Sequence, residues 1–368
     1  MESMNRIRPI LSLIFLCVPF IAAAHPLDHW HQRHVVPNGV YPSAMVHGDG
    51  LLVAVGGNGW IVTSPDGTNW TTQISGTAQA LGGVAYGNGV FISVGHSGTV
   101  LSSPDGTKWT PRSSGTTANL LAVKHGNGVF VASGERGVIL NSPDGVTWTP
   151  HNPGIVYYSD DLAYGNGLFV LAVGRGTNLI SIDGTNWMPG DNGSSQNLWT
   201  LGFGNRQFLA IDVQRRVLTS TDATNWTARG TITLIRPPET AYGNGIYLVV
   251  GSGNPEYSPD GNQWNQSTAS LCNCPARAAT FANGYFYVVA DNAIWQSDPV
   301  VQVEFSGLGI LTVAGPTNRT YQIESTEDLA APSGWQSTAN ITLSASPQSW
   351  TDPRPPTGQQ FYRAQLLP

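Results

Sequence analysis

Carboxylates, guanidinium groups, phenols and imidazoles are scarce in this chain, and those suited to holding hydroxyls or acidic groups fall in two kinds of segment. Tyr157, Tyr158, Asp160, Asp161, Glu239 and Arg277 stand at the start of short apolar runs. His96, Glu135, Arg136, Arg175, Gln214, Arg215, Asn254 and Asp291 stand in the brief polar breaks between runs. Brought to one surface, these groups would line a polar pocket for sugar hydroxyls or acidic sugars. Asp160 and Asp161 have the chemistry of an acid/base pair, but adjacent residues of a strand point to opposite faces, so one of them reaches a shared pocket. Near the N-terminus His25, Asp28, His29, His31 and His34 gather metal-binding atoms. His29 and His31 flank Trp30 on what reads as an outermost strand, which makes them exposed side chains rather than ligands. No nucleotide, haem or zinc signature appears, and neither a metal nor a cofactor is expected.

The elements that must position these residues follow from an internal repeat. Trp70, Trp109, Trp148, Trp187 and Trp226 recur every 39 residues, and Trp264 follows 38 later. Each closes one kind of string, S-P-D-G-T-N-W from Ser64 being the first and S-P-D-G-N-Q-W from Ser258 the last. A second marker runs out of phase: G-D-G at Gly48, G-N-G at Gly87, Gly126, Gly165 and Gly243, G-N-R at Gly204 and A-N-G at Ala282. Between markers lie short alternating runs bounded by Gly, Asn or Asp, the pattern of strands joined by tight turns. Each repeat thus supplies four strands; in the third they are Leu120 to His125, Val129 to Ser133, Val138 to Ser142 and a strand starting at Trp148. A fixed period of this length means a ring or solenoid.

Seven glycine turns accompany only six Asp-Gly-Trp strings. The seventh repeat leaves the pattern at Asp298-Pro299, short of its last strand. Trp30 precedes Gly48 by nearly the offset that separates Trp70 from Gly87, so the first mature residues are expected to supply the missing strand and close the ring, removing exposed sheet edges. The reading is an all-β chain: a seven-bladed β-propeller over 25–298, closed by the N-terminal strand, and a small C-terminal β-sandwich over 299–368.

The Ser-x-Asp-Gly-x-x-Trp strings resemble the Asp-box, or BNR repeat, of sialidase-type propellers, with a loop one residue shorter, and the resemblance covers residues 25 to 298. In it the Ser and Asp side chains lock a turn by bonding backbone amides, and the Trp packs between sheets. Calcium is not expected at the boxes, since each offers too few oxygen ligands. Ile235-Arg236-Pro237 is similar to the arginine motif of that family but falls in the fifth blade connection, and no catalytic role is carried over. The strings Y-Q-I-E-S-T-E-D-L from Tyr321, W-T-D-P from Trp350 and F-Y-R from Phe361 resemble an accessory β-sandwich at the C-termini of secreted proteins of environmental bacteria. That resemblance implies export.

Topology puts the G-N-G turns and the Asp-boxes on one face of the disc. The b–c loops and the d–a connections share the other, and there the sequence varies; variable loops on a rigid scaffold are where binding usually resides. No blade carries an insertion long enough to form a lid. Arg6 and Arg8, an apolar run from Pro9 to Ala24 and the closing Ala22-Ala23-Ala24 read as a secretory signal over 1–24, with the mature chain starting at His25. Cys272 and Cys274, one residue apart, form a tight disulfide or stay free after export. The net charge of −6 and the sparse Lys and Arg exclude a nucleic-acid partner, and no polybasic segment marks a membrane surface. The expectation is a secreted, monomeric recognition or scaffold protein, not inserted in a membrane, that binds a glycan or an extracellular protein through the variable face. The alternative is a carbohydrate-active enzyme, a glycoside hydrolase or polysaccharide lyase, at the mouth of the channel.

Overall fold

A computed structural model of the chain describes residues 25–151, 161–174, 176–234, 239–269, 271, 275–305, 310–317, 319–327, 335–344, 346–353 and 361–366. Seven four-stranded antiparallel sheets follow one another along the chain, each a meander of strands a to d from the centre outward. Blade 3 is typical: Leu120–Gly126, Val129–Gly134, Ile139–Ser142 and Thr149–His151. The inner strand of each blade lies against the inner strand of the next, and that of blade 7, Ala276–Ala282, lies against that of blade 1, Pro42–Gly48. The ring is closed. Its closure uses the expected exchange, since Trp30–Val35 pairs antiparallel with Ala293–Ser297 as the outer strand of blade 7, Trp30 opposite Ser297.

The N-terminal strand is anchored by side chains as well as by its ladder. Leu27 is fully buried between blades 6 and 7 with Leu248, Phe286 and Val288. The His25 ring stacks on Tyr257 at 3.8 Å, and the Asp28 carboxylate accepts the Thr268 amide at 2.7 Å. His29 and His31 are exposed and both reach Asp298, at 3.2 and 2.7 Å.

Apolar residues of strands a, b and c fill the wedges between blades. In one wedge Val53, Val55 and Ile61 of blade 1 meet Leu81, Val84, Phe91 and Leu101 of blade 2, and Trp109 covers the cluster. The box tryptophans therefore sit between sheets. Each box is built by its own side chains: in the first, the Asp66 Oδ1 accepts the Thr68 and Asn69 amides at 2.8 and 2.7 Å and the Ser64 hydroxyl at 3.0 Å. The Trp70 indole donates to the Gly67 carbonyl at 3.1 Å. The amides, that of Asn69 first, hold the exposed Asp66 carboxyl down to about 2.

The G-N-G marker does more than turn the chain. Asn127 lies at a positive φ of 47°, and its side-chain amide donates to the Gly167 carbonyl at 2.9 Å and the Ile182 carbonyl at 2.7 Å, both in blade 4. Asn88 and Asn166 make the same pair of bonds to blades 3 and 5. Three of these turns are thus latches between blades, which explains their spacing. The first glycine of the marker answers a different need. A Cβ on Gly126 would stand 2.2 Å from the Tyr164 ring, because the aromatic residue of each following inner strand lies against this glycine.

Beyond Asp298 the chain forms two three-stranded sheets, one of Gln302–Phe305, Ile310–Ala314 and Gln348–Thr351, the other of Thr320–Thr326, Gln336–Thr342 and Phe361–Leu366. Leu311, Val313, Tyr321, Ile323, Ile341 and Leu343 make one core between them. This module meets the propeller at the turn face: the Asn244 side chain and the Val300 carbonyl are 2.7 Å apart, and Pro316 lies where a Cβ on Gly284 would be.

Candidate functional site

The seven inner strands align residue by residue, and reading across them locates the departures from the repeat. Two positions before the aromatic residue comes a row of Met45, Val84, Val123, Leu162, Leu201, Thr240 and Ala279, mostly buried between blades. The next row is Val46, Ala85, Lys124, Ala163, Gly202, Ala241 and Thr280: small side chains and one lysine. The aromatic row is His47, Tyr86, His125, Tyr164, Phe203, Tyr242 and Phe281. Members of the last three rows line an axial cavity of about 360 Å³. Six of the seven aromatic residues pack on the second residue of their own strand b, itself aromatic, with ring centroids 4.6 to 5.0 Å apart, which fixes the cavity wall.

The row two residues ahead of Lys124's own reads Ala44, Gly83, Ala122, Asp161, Thr200, Glu239 and Ala278, two acids among small residues. Because alternate residues of a strand share a side, both acids stand on the side that Lys124 takes. Asp161 is closely bound. Its Oδ2 accepts the Leu201 amide at 2.8 Å and the Thr200 hydroxyl at 3.1 Å, and its Oδ1 accepts the Leu162 amide at 2.8 Å. It therefore ties the open edge of blade 5's inner strand to blade 4. Glu239 has no hydrogen-bond partner among the described residues.

The electrostatics separate the two acids. Burial pushes Asp161 up against the pull of the Lys124 ammonium and of the Leu201 and Leu162 amides. Burial, and after it the Asp161 charge, pushes Glu239 up to about 8, with Lys124 pulling the other way. Two carboxylates that repel one another do not readily both ionise, even though by surface exposure Asp161 and Glu239 are only half-buried and Lys124 is exposed. With three donors on Asp161 and none on Glu239, Asp161 carries the charge and Glu239 the proton. His125 also faces the cavity; its Nε2 is buried without a partner, and burial holds the ring below the usual imidazole range.

The residues singled out from sequence divide into groups. Asp161 and Glu239 come together through Lys124, which sequence reading passed over; the signal was available in its row, as the single charge among small side chains. Arg277 and Asp291 meet each other instead, in a two-pronged ion pair at 2.9 and 3.3 Å within blade 7. His96, Glu135 and Arg136 lie in the b–c turns of blades 2 and 3, with His96 and Arg136 exposed, Arg136 at φ 60° and Glu135 accepting the Asn119 amide at 3.1 Å. Arg215 is exposed on blade 5 at φ 67°. Tyr157, Tyr158, Asp160 and Arg175 fall outside the described residues, as do Cys272, Cys274 and Ile235-Arg236-Pro237. A second ion pair escaped sequence reading: fully buried Asp212 accepts Arg216 Nε at 2.7 Å, while Ser194 bonds both, at 3.0 and 2.8 Å.

No known family model matches the sequence, and no curated protein does. Solved structures do match in shape. YCF48 bound to D1 peptide superposes with a TM-score of 0.59 at 16% identity, over 76% of this chain and 96% of that one. Virginiamycin B lyase from Staphylococcus aureus, with quinupristin, gives 0.66 at 8% identity over 74% and 100%. The WD40 propeller domain of Doa1 gives 0.58 at 10% identity over 73% and 96%. The chain is a β-propeller. At these identities the likeness is one of fold, and the propeller's chemistry has to be argued from its own residues. Among the described residues no helix is long and apolar enough to cross a membrane.

Proposed function

We propose that this propeller is a secreted, non-enzymatic recognition protein that binds an extracellular glycan or protein, using the b–c and d–a loop face and the axial cavity beneath it. One observation carries the reading. The polar residues that obey the repeat, such as Asp66, Ser64 and Asn127, are consumed by scaffold hydrogen bonds, whereas Lys124, Asp161 and Glu239, which break it, converge on the axis. A ring whose regular positions hold it rigid and whose exceptions act on one another near the axis is suited to binding a ligand without rearrangement. YCF48, of the same fold, is bound to a peptide in its solved structure.

The paired carboxyls also favour a second reading, a carbohydrate-active enzyme with Glu239 as acid and Asp161 as base. Against it stands the Asp161 carboxylate itself, whose oxygens already accept two amides and a hydroxyl and are turned onto the scaffold rather than toward a substrate. A panel of glycans, polysaccharides and extracellular proteins, presented to the chain from His25 and scored for binding and for cleavage, separates the two. Binding without turnover is expected; new reducing or unsaturated ends that disappear in Glu239→Gln overturn the recognition reading.

A further inference from the structure

Lys124 is the one charged residue that lines the axial cavity, and the scaffold does not use it. Arg112, Arg229 and Arg277 are each held by a side chain of their own blade, Ser102, Thr219 and Asp291. Lys124 is exposed and makes neither a hydrogen bond nor an ion pair among the described residues. The nearby acids do not take up its charge. Asp161 and Glu239 stand two residues earlier in the strand alignment, toward the loop face, and neither lines the cavity. The Asp161 oxygens are turned onto the Leu162 and Leu201 amides and the Thr200 hydroxyl.

Across the axis the lining changes character. In a ring of seven, blades 6 and 7 stand opposite blade 3, and they contribute Thr240 and Thr280, the two threonines of the cavity. Both are half-buried, and neither hydroxyl makes a hydrogen bond among the described residues. Between the lysine and the threonines Ala85, Ala163, Gly202 and Ala241 are small and leave open about 360 Å³, the size of a small-molecule site. A free ammonium on one wall and free hydroxyls on the opposite wall match a ligand that carries a carboxylate at one end and hydroxyls at the other.

We propose that the axial cavity binds a small hydroxy acid of the sugar-acid class, free or at the end of a glycan. Its carboxylate accepts from the Lys124 ammonium, and its hydroxyls bond to Thr280 and Thr240. With the proton on Glu239, the charges of Asp161 and Lys124 cancel, and the acids behind the lysine do not outweigh it. The inference rests on reading the chain as a recognition protein and names the ligand class of its axial cavity.

Isothermal titration of the chain from His25 with D-glucuronate, D-glucose and D-glucosamine tests it. The three share a sugar ring and carry a carboxylate, no charge and an ammonium. Glucuronate is expected to bind at least about tenfold more tightly than glucose, and glucosamine no more tightly than glucose. Lys124→Met should bring glucuronate to within about threefold of glucose, while Lys124→Arg should keep the preference. Thr280→Val should weaken both sugars alike and leave their ratio unchanged. A hyaluronan tetrasaccharide ending in glucuronate separates the sources: it binds more tightly than glucuronate if the ligand is a glycan end, and less tightly if it is a free acid. Absence of glucuronate binding, equal affinity for glucose, or a preference for glucosamine overturns the proposal, as does a glucuronate preference that survives Lys124→Met. The wild-type comparison decides even where a variant fails to fold. A glycan or protein hit without any preference for a carboxylate defeats this inference and leaves the recognition reading in place; polysaccharide cleavage defeats the recognition reading instead.

Discussion

At the c–d turns Asp66 sits in solvent and titrates low, to about 2, because the Asn69 and Thr68 amides reach its Oδ1. On the axis Asp161 also accepts two backbone amides, and it titrates high. The same residue type and the same kind of partner give opposite shifts. Water solvates the rest of the turn carboxylate, so its hydrogen bonds decide; inside the ring desolvation outweighs them. The turn face repeats and is structural. The axis breaks the repeat, and its acids are held there against the cost of desolvation.

Four experiments break or sharpen this contrast. The largest effect is expected at the turn face, where Gly126→Val drives a side chain into Tyr164 and should remove about 3 kcal/mol or more, read as a lower urea midpoint. A midpoint within error of wild type would mean that the blades give way locally and that the close approach does not set the ring geometry.

Next comes the axis. Asp161→Ala strips three donors of their acceptor and should cost about 2 kcal/mol. Asp66→Ala, at an exposed turn, should cost roughly half as much by the same measurement. Reversal of that order would make the box the dominant carboxylate and undo the comparison.

The latches follow. Asn127→Ala loses three bonds to blade 4, two to carbonyls and one from the Tyr164 hydroxyl, and should cost about 1 kcal/mol or more, while Asn205→Ala, at the corresponding place in blade 5, should change stability by less than about 0.5 kcal/mol. Equal losses at both sites would show that the turn itself, not the bond across the wedge, is what the asparagine supplies.

Smallest at any one pH are the titration effects, and their signs differ between the regions. The Asp66 and Asp105 carboxyls fall from 3.8 to about 2 on folding, so their stabilisation is complete above 3.8 and is lost as pH falls toward 2. Glu239 rises from 4.5 to about 8, so the unfolded chain loses this proton first, and stability declines as pH climbs between those values and levels beyond them. Urea midpoints measured across the range should show the alkaline decline in wild type and a flatter curve in Glu239→Gln. A decline unchanged by that substitution would assign it to another group.

Much of the architecture was legible in the residues alone. The period of the box tryptophans, seven glycine turns against six boxes, and the position of Trp30 together specified the blades, their strands and the exchange that closes the ring, and strand ends fell within a residue or so of those expected. The box hydrogen bonds were legible too, because every partner lies within three residues in sequence. The latch of Asn127 was not, since its acceptors are 40 and 55 residues away and reach it only when blades 3 and 4 stand side by side. At the candidate site Asp161 and Glu239 were visible as charges at the start of inner strands, while Arg277 and Asp291, chosen on the same grounds, satisfy each other.

Local chemistry, written in short-range bonds and a strict period, was therefore the sequence's to determine. The meeting of Lys124, Asp161 and Glu239 belongs to tertiary structure, because they come from blades 3, 4 and 6 and share a space only after the ring closes. Their ionisation is decided at the same moment, for the closed ring is what brings the three charges within reach of one another and partly desolvates the two acids.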